Sequence, residues 1–516
     1  MKKRVFSIMG LSFLLAAFAL AVVPAQAQNV EQKIQALEQE LSQLKSEQME
    51  LRKDATAAAA ALPSFSYRAG NGMSIEAADK SWSLRMAFEG HLRMLFESGR
   101  DEVGRTNGEI MGRRFRPEFY YCINNCLFEL EAKLDLDGFG TGNAWNSVSE
   151  AATSILQRGA FHFHAEDLNP WLPTVSVGMD ISTSSASNVR QGSSSTGSQR
   201  EYDILSRQAG PNTGRAGQGF TFTWDDKSLS SIGIPGRITR FQFASASINE
   251  GDDGHSSFKD RRNYGVYLGI QPLSQLKNKW IRGLMFDIGA WFCNVDKRAF
   301  NGDGGIADNG CDRMRLRDHG DAASQTMFDT GANSVGGGLY HFVQPGIQWE
   351  VGPYRLRMAA GFAAADDDKG GGTGKKRAHN FLIGHDLFIW SPKGFLTGSG
   401  TTPGSILLGT HFERNDASCI KRTDVCRSST GTAINGGQYN RETLLLREWD
   451  IYYFIAPRMS VGASILWYDA SNLRNTRNQA ANNLGICSGS KIDNGGCRRG
   501  IGGDWVDMSL DWRWYF

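Results

Sequence analysis

The side chains most able to do chemistry in this chain are arginines spaced two apart. Arg114 and Arg116 share a side with Glu118, while Phe115, Phe119 and Tyr121 take the opposite side. Arg85 and Arg93, Arg158 with His162 and His164, and the pair Arg355 and Arg357 repeat the arrangement. A guanidinium fork binds phosphate oxygens bidentately and keeps its charge at any physiological pH. Rings of such groups select anions when they line a passage. A further cationic set, Arg190, Arg200, Arg207 and Arg215, faces only Glu201 and Asp203 in the Ser- and Gly-rich stretch 182–217, which reads equally as a constriction or as a surface loop. Carboxylates fall on the same faces (Glu89, Glu129, Glu131, Asp135, Asp137, Glu166, Asp507 and Asp511), so the net sign of that face is left open.

Other chemistry is thinly represented. Eight cysteines fall into four neighbouring pairs, Cys122/Cys126, Cys293/Cys311, Cys419/Cys426 and Cys487/Cys497, each bracketing a turn or lying in a long polar link. Disulfide staples between neighbours are the expected use; zinc is the alternative, although no Cys-x2-Cys pair occurs. His162 and His164 could share a metal but read as ordinary polarity, and Asp366-Asp367-Asp368 lacks the spacing of a calcium loop. Gly374-Lys375-Lys376 resembles the end of a phosphate loop, yet Lys369 stands where its first glycine belongs. Neither Gly-x-Ser-x-Gly nor His-Glu-x-x-His is present. The expectation is no enzyme, no cofactor and no metal.

The elements that position the arginines alternate with period two. From Trp82 to Met94 nearly every even residue is apolar, and Arg85, Glu89, His91 and Arg93 hold odd places. Phe128 to Asp137 and Val506 to Phe516 repeat the pattern. In a strand, residues two apart share a face, so each segment is apolar on one side and charged on the other. About sixteen such segments begin near residues 82, 110, 126, 156, 173, 218, 236, 261, 280, 337, 352, 376, 404, 440, 458 and 503. The faces of the segment near 376–390 are not assignable, and Arg113 breaks the alternation of its own. Short turns alternate with long Gly/Asp/Ser/Asn-rich links, as in an outer-membrane barrel.

Composition agrees. Glycine is 60 of 516 residues, about 12 % against a usual ~7 %. Disorder is excluded by 41 % hydrophobic and 11 % aromatic residues. Mean hydropathy of −0.36 excludes a helical membrane bundle. A net charge of +2 speaks against nucleic acid as a partner.

The start of the chain is organised differently. Lys2, Lys3 and Arg4, an apolar run from Ile8 to Val23 and Ala25-Gln26-Ala27 predict a signal peptide over 1–27. Its removal takes the formal charge from +2 to −1. Val30, Ile34, Leu37, Leu41, Leu44, Gln48 and Leu51 form a heptad seam. A periplasmic coiled coil with its linker is therefore expected over 28–62, and the barrel over 63–516.

These features, in this order, resemble the phosphate-selective porin O/P family. The resemblance is carried by Phe65 to Asp79, by Gly112-Arg113-Arg114-Phe115-Arg116-Pro117-Glu118-Phe119, by the acidic strand Phe128 to Asp135, and by the alternating last strand. That strand ends in Phe516, which is similar to the signature read by the outer-membrane barrel assembly machinery. The resemblance implies an all-β, sixteen-stranded, trimeric pore set in outer-membrane lipid, conducting small anions, phosphate or pyrophosphate in some members. It also implies a loop after the fifth strand, here 182–217, folded into the lumen. A general or sugar-type diffusion porin, or a barrel-anchored envelope tether using the coiled coil, are the alternatives.

Overall fold

The computed structural model describes residues 35–50, 62–98, 107–134, 136, 156–178, 219–247, 262–295, 315–317, 326–329, 338–365, 375–391, 403–420, 442–469 and 504–516. The predicted signal peptide, Arg190, Arg200, Arg207 and Arg215, the Asp366–Asp368 run, and Cys311, Cys426, Cys487 and Cys497 lie outside them. The chain divides into two units.

Among the described residues, the N-terminal unit contains one helix, residues 35–50, exposed on every side. Leu37, Leu41 and Leu44 of the heptad seam are 63, 55 and 62 % exposed in the single chain.

The second unit is a closed antiparallel barrel. It starts with a hairpin of β1 (Ser64–Arg68) and β2 (Gly72–Glu76). The wall then runs through β3 (Trp82–Ser98), β4 (Asn107–Ile123), β5 (Phe128–Leu134), β6 (Leu156–His164), β7 (Thr174–Gly178), β8 (Gly219–Ser228) and β9 (Arg237–Ser247). It continues with β10 (Arg262–Gln271) and β11 (Leu284–Val295), after which β12 (Arg315–Arg317) and β13 (Thr326–Asp329) form a separate ribbon. The remaining staves are β14 (Gly338–Val351), β15 (Tyr354–Ala365), β16 (Lys375–Trp390), β17 (Ile406–Ile420), β18 (Glu442–Ala456), β19 (Met459–Asp469) and β20 (Asp504–Tyr515). Each stave pairs with its neighbours in sequence, and β20 pairs with β3 to close sixteen strands.

Alternation decides which face meets which medium. Phe119, Tyr121, Leu130, Phe161, Ile451, Tyr453, Leu510 and Trp512 point outward and are 37–52 % exposed. Glu89, Arg93, Glu118, Arg357, Asp511 and Arg513 point inward and are buried. Aromatics gather outside at the short-turn end: Trp82 lies 6.4 Å from Tyr121, and Trp349 6.1 Å from Tyr354. There the indole N–H of Trp224 donates to the Trp171 carbonyl at 3.0 Å, and that of Trp349 to the Trp280 carbonyl at 2.6 Å. A ring with an apolar body and one polar tip suits the lipid–water boundary.

The segment left unassigned on sequence, β16, resolves into an inward face of Ala378, Asn380, Leu382, Asp386 and Phe388. Three apolar residues there, and His379 and His385 on the other face, hide the alternation. Because a strand begins at Lys375, no helix follows Gly374 and the phosphate-loop likeness ends. Arg113 is the extra residue of a bulge: His91 pairs with Arg114, and Leu92 with Gly112.

The hairpin completes the wall. β20 stops at Tyr515, and Phe516 exchanges both backbone hydrogen bonds with Phe88, at 3.0 and 3.2 Å. Below that point Met73 to Glu76 of β2 pair with Met86 to Ser83 of β3. Backbone groups that the last strand does not reach are thereby satisfied, as lipid requires. Gly72 makes the junction possible: its φ is +90°, and a Cβ would stand 2.1 Å from the Met86 carbonyl oxygen. Gly72→Ala should therefore lower the unfolding free energy of the refolded barrel in detergent by ~1–3 kcal/mol, read from a urea titration.

Candidate functional site: the inner wall of the barrel

Six of the eleven arginines singled out on sequence face the lumen with their side chains described: Arg85, Arg93, Arg116, Arg158, Arg355 and Arg357. Arg114 lies on β4 with Arg116, its side chain outside the described residues, as are Arg190, Arg200, Arg207 and Arg215 entirely. The inward arginines do not form one cationic ladder. Five of them sit against carboxylates.

The seam strands carry the tightest group. Arg93 Nε lies 2.5 Å from Asp511 Oδ1, and His91 Nε2 2.8 Å from the same oxygen. Ser509 donates to the other oxygen at 3.2 Å, and Arg513 approaches it at 3.7 Å. Arg513 also donates to the Tyr452 hydroxyl at 2.7 Å. Register explains the meeting: Asp511 is the cross-strand partner of Arg93 in the closing pair.

A second group lies nearer the short turns. Lys133 bridges Glu89, at 3.0 Å, and Glu118. Glu118 also accepts from Tyr120 at 2.9 Å and from Tyr515. Arg116 stands 4.0 Å from Glu89. Arg85 stacks 3.8 Å from the centre of the Tyr120 ring, an attraction between cation and ring face. Farther round, Arg158 and His162 each lie 3.0 Å from Glu131, and His162 Nδ1 meets Ser176 at 2.7 Å. Both nitrogens of His162 are thus engaged, so the His162/His164 metal pair is not formed. Arg355 reaches Glu350 at 2.6 Å and Asp386 at 3.8 Å; Arg357 reaches Asp386 at 3.0 Å.

Opposite charge gathers on β17 to β20. Glu413, Glu448, Asp450 and Asp507 face inward there and are 0, 1, 5 and 0 % exposed. His411 and Asn380 approach Glu413 at 3.3 and 3.4 Å. Beside them, near the short turns, Phe388, Leu407, Tyr452 and Phe454 form a small apolar cluster within the lumen. Sequence reasoning named Asp507 and Asp511 but passed over Glu350, Asp386, Glu413, Glu448, Asp450 and Tyr452. Strict alternation along β18 would have found Glu448, Asp450 and Tyr452; Asp386 lay in the segment whose faces were ambiguous.

Of the cysteine pairs, Cys122 and Cys126 form a disulfide with Cα atoms 4.4 Å apart. The backbones of Cys293 and Cys419 lie in β11 and β17, and their expected partners fall outside the described residues.

No family model matches the chain, and no curated protein does. Solved structures align along most of it. The in-vitro folded trimer form of OmpT, an outer membrane protein of Vibrio cholerae, is 9 % identical, with 84 % of this chain and 100 % of that one covered and a TM-score of 0.44. Pseudomonas putida OprB is 8 % identical, covering 85 % and 95 %, with a TM-score of 0.43. Pseudomonas aeruginosa OccK2 (OpdF) is 11 % identical, covering 84 % and 97 %, with a TM-score of 0.34. What this barrel does has to be read from its own residues.

The seam group makes one outcome specific. Asp511→Asn keeps the shape but removes the carboxylate charge that faces Arg93 and Arg513. Removing one partner of a buried pair costs about 3–5 kcal/mol, so unfolding in detergent should begin at lower denaturant. The more positive lumen should also move the reversal potential in a salt gradient toward anions.

Proposed function

We propose that the chain is an outer-membrane porin, a water-filled channel for passive diffusion of small solutes, with small anions, phosphate or pyrophosphate among them, as its cargo. The observation that carries the channel is the sorting of side chains about a closed sixteen-stranded wall, apolar and aromatic outside, ionised inside. Such a wall suits the boundary between lipid and water, which supports an outer-membrane location. The anion preference rests on the inward guanidinium groups, whose charge is permanent. The carboxylates beside them reduce that preference to a difference between opposed charges. Arg85 stacks on the Tyr120 ring, a partner that leaves its charge in place.

The carboxylate strip Glu413, Glu448, Asp450 and Asp507 favours a second reading, a general diffusion porin without anion preference. A bilayer experiment in a salt gradient separates the two. The anion reading expects a reversal potential of anion sign, shifted toward cations when Arg114 and Arg116 are both changed to Glu. A cation-selective wild type contradicts it, and an unshifted variant removes those residues from the conducting path.

The helix 35–50 belongs to the same proposal as a periplasmic coiled coil. Its seam leucines are exposed in one chain, and two or more helices are needed to bury them. A homotrimer is the assembly proposed. Leu37→Asp with Leu41→Asp should weaken the trimer in native mass spectrometry while the barrel keeps its sheet circular dichroism. Deleting residues 30–54 should preserve conductance; failure of envelope integrity in cells carrying that deletion would instead favour a tethering role.

A further inference from the structure

The turn between β10 and β11, residues 272–283, carries Lys277, Lys279 and Arg282 and no acid. Every residue from Lys277 to Arg282 is exposed, Trp280 at 56 % and Ile281 at 38 %. Acids on the adjoining strands are already engaged. In the hairpin β8–β9, Arg240 grips Asp225 through two hydrogen bonds, at 2.7 and 3.0 Å, and Arg237 reaches Asp226 at 2.8 Å. Glu350, whose backbone N–H donates to the Gly283 carbonyl at 3.2 Å, gives its carboxylate to Arg355. The three cations therefore stand as a positive patch at the short-turn end of the wall.

Hydrogen bonds fix the shape of this turn. The Asn278 side chain accepts from the Trp280 N–H at 3.0 Å, and its carbonyl accepts from the N–H groups of Ile281 and Arg282 at 3.3 and 3.1 Å. Gln271 donates to the Arg282 carbonyl at 2.9 Å. The Trp349 indole, on the outward face of β14, donates to the Trp280 carbonyl and so holds the turn on the lipid side of the wall. Gln275 ties it to the β8–β9 turn, donating its backbone N–H to the Pro235 carbonyl at 3.2 Å and its side-chain amide to Ser228 at 3.0 Å. That second turn, residues 229–236, adds exposed Ile232 and Ile234 and no charge. Together the two turns make one platform, four apolar side chains beside three cations.

We propose that this platform binds anionic phospholipid headgroups of the leaflet at the short-turn end. Phosphate oxygens meet Lys277, Lys279 and Arg282, while Trp280, Ile281, Ile232 and Ile234 enter the apolar margin of the same leaflet. The inference rests on the membrane reading of the barrel and adds a lipid preference to it. Lysine and arginine beside an apolar surface match such a boundary, where negative headgroups attract the cations and acyl chains lie just beyond. The indole of Trp280 suits the same depth, with an apolar body and one polar edge. An acidic stretch of protein would answer the cations alone, whereas phospholipid answers the apolar groups as well.

The test is native mass spectrometry of the full mature chain, refolded in detergent and offered phosphatidylglycerol and phosphatidylcholine of the same acyl chains in equal amounts. Both lipids carry a phosphate and an apolar body; they differ in net charge. The wild type should retain phosphatidylglycerol about tenfold more than phosphatidylcholine. Lys277→Gln, Lys279→Gln and Arg282→Gln together should remove that preference and leave retention of phosphatidylcholine unchanged. Arg68→Gln with Lys80→Gln, which removes two exposed cations elsewhere at the same end, should leave the preference intact. Equal retention of both lipids by the wild type overturns the proposal while sparing the membrane reading, and is the result an acidic protein occupant predicts. A preference that survives in the triple variant overturns it too, since the cations would then be elsewhere. Retention of neither lipid contradicts the membrane reading itself, and this proposal with it. Sheet circular dichroism verifies that each variant is folded.

Discussion

Pairing of β20 with β3 is the contact on which everything else depends. It joins ten residues of the last strand to the first stave and turns a ribbon of neighbouring hairpins into a tube. In lipid an open edge would leave a row of unsatisfied backbone groups, each costing several kcal/mol, so closure is a condition of existing there. The tube then gives alternation its meaning, because every second residue faces lipid and the rest face the interior. The hairpin β1–β2 serves the same constraint by pairing with the part of β3 that lies beyond Phe516.

Closure also creates the inner wall's electrostatics. Arg93 and Asp511 are 418 residues apart in sequence and meet only because the seam sets them opposite one another. Around the barrel the same logic gathers arginine, lysine and histidine against neighbouring carboxylates. The groups interlock: Arg93, Glu413 and Asp507 have no exposed surface. Selectivity in such a lumen is a small difference between opposed charges, set by which residues lack a close counter-charge.

The staves were legible because lipid and water impose a period of two on side chains, and that period is local. The sixteen expected starts agree with those of β3 to β11 and β14 to β20 within a few residues. The bulge at Arg113 was legible for the same reason, as a break in that period. The hairpin β1–β2 was missed, although Phe65 and Tyr67 alternate into Gly70-Asn71-Gly72 and out again to Met73 and Ile75. Five residues a side make a weak signal. The pairing of arginines with acids was not legible, since it depends on cross-strand register rather than on spacing along the chain. Asp386 shows the difficulty: its own strand gives no clear face, yet register places it beside Arg355.

The central claim is that this wall encloses a conducting, water-filled path. Single-channel recording of the refolded protein in a planar bilayer tests it most directly. The account predicts discrete ohmic steps whose conductance rises with salt concentration. Inserted, folded barrels that leave the bilayer electrically sealed would contradict it.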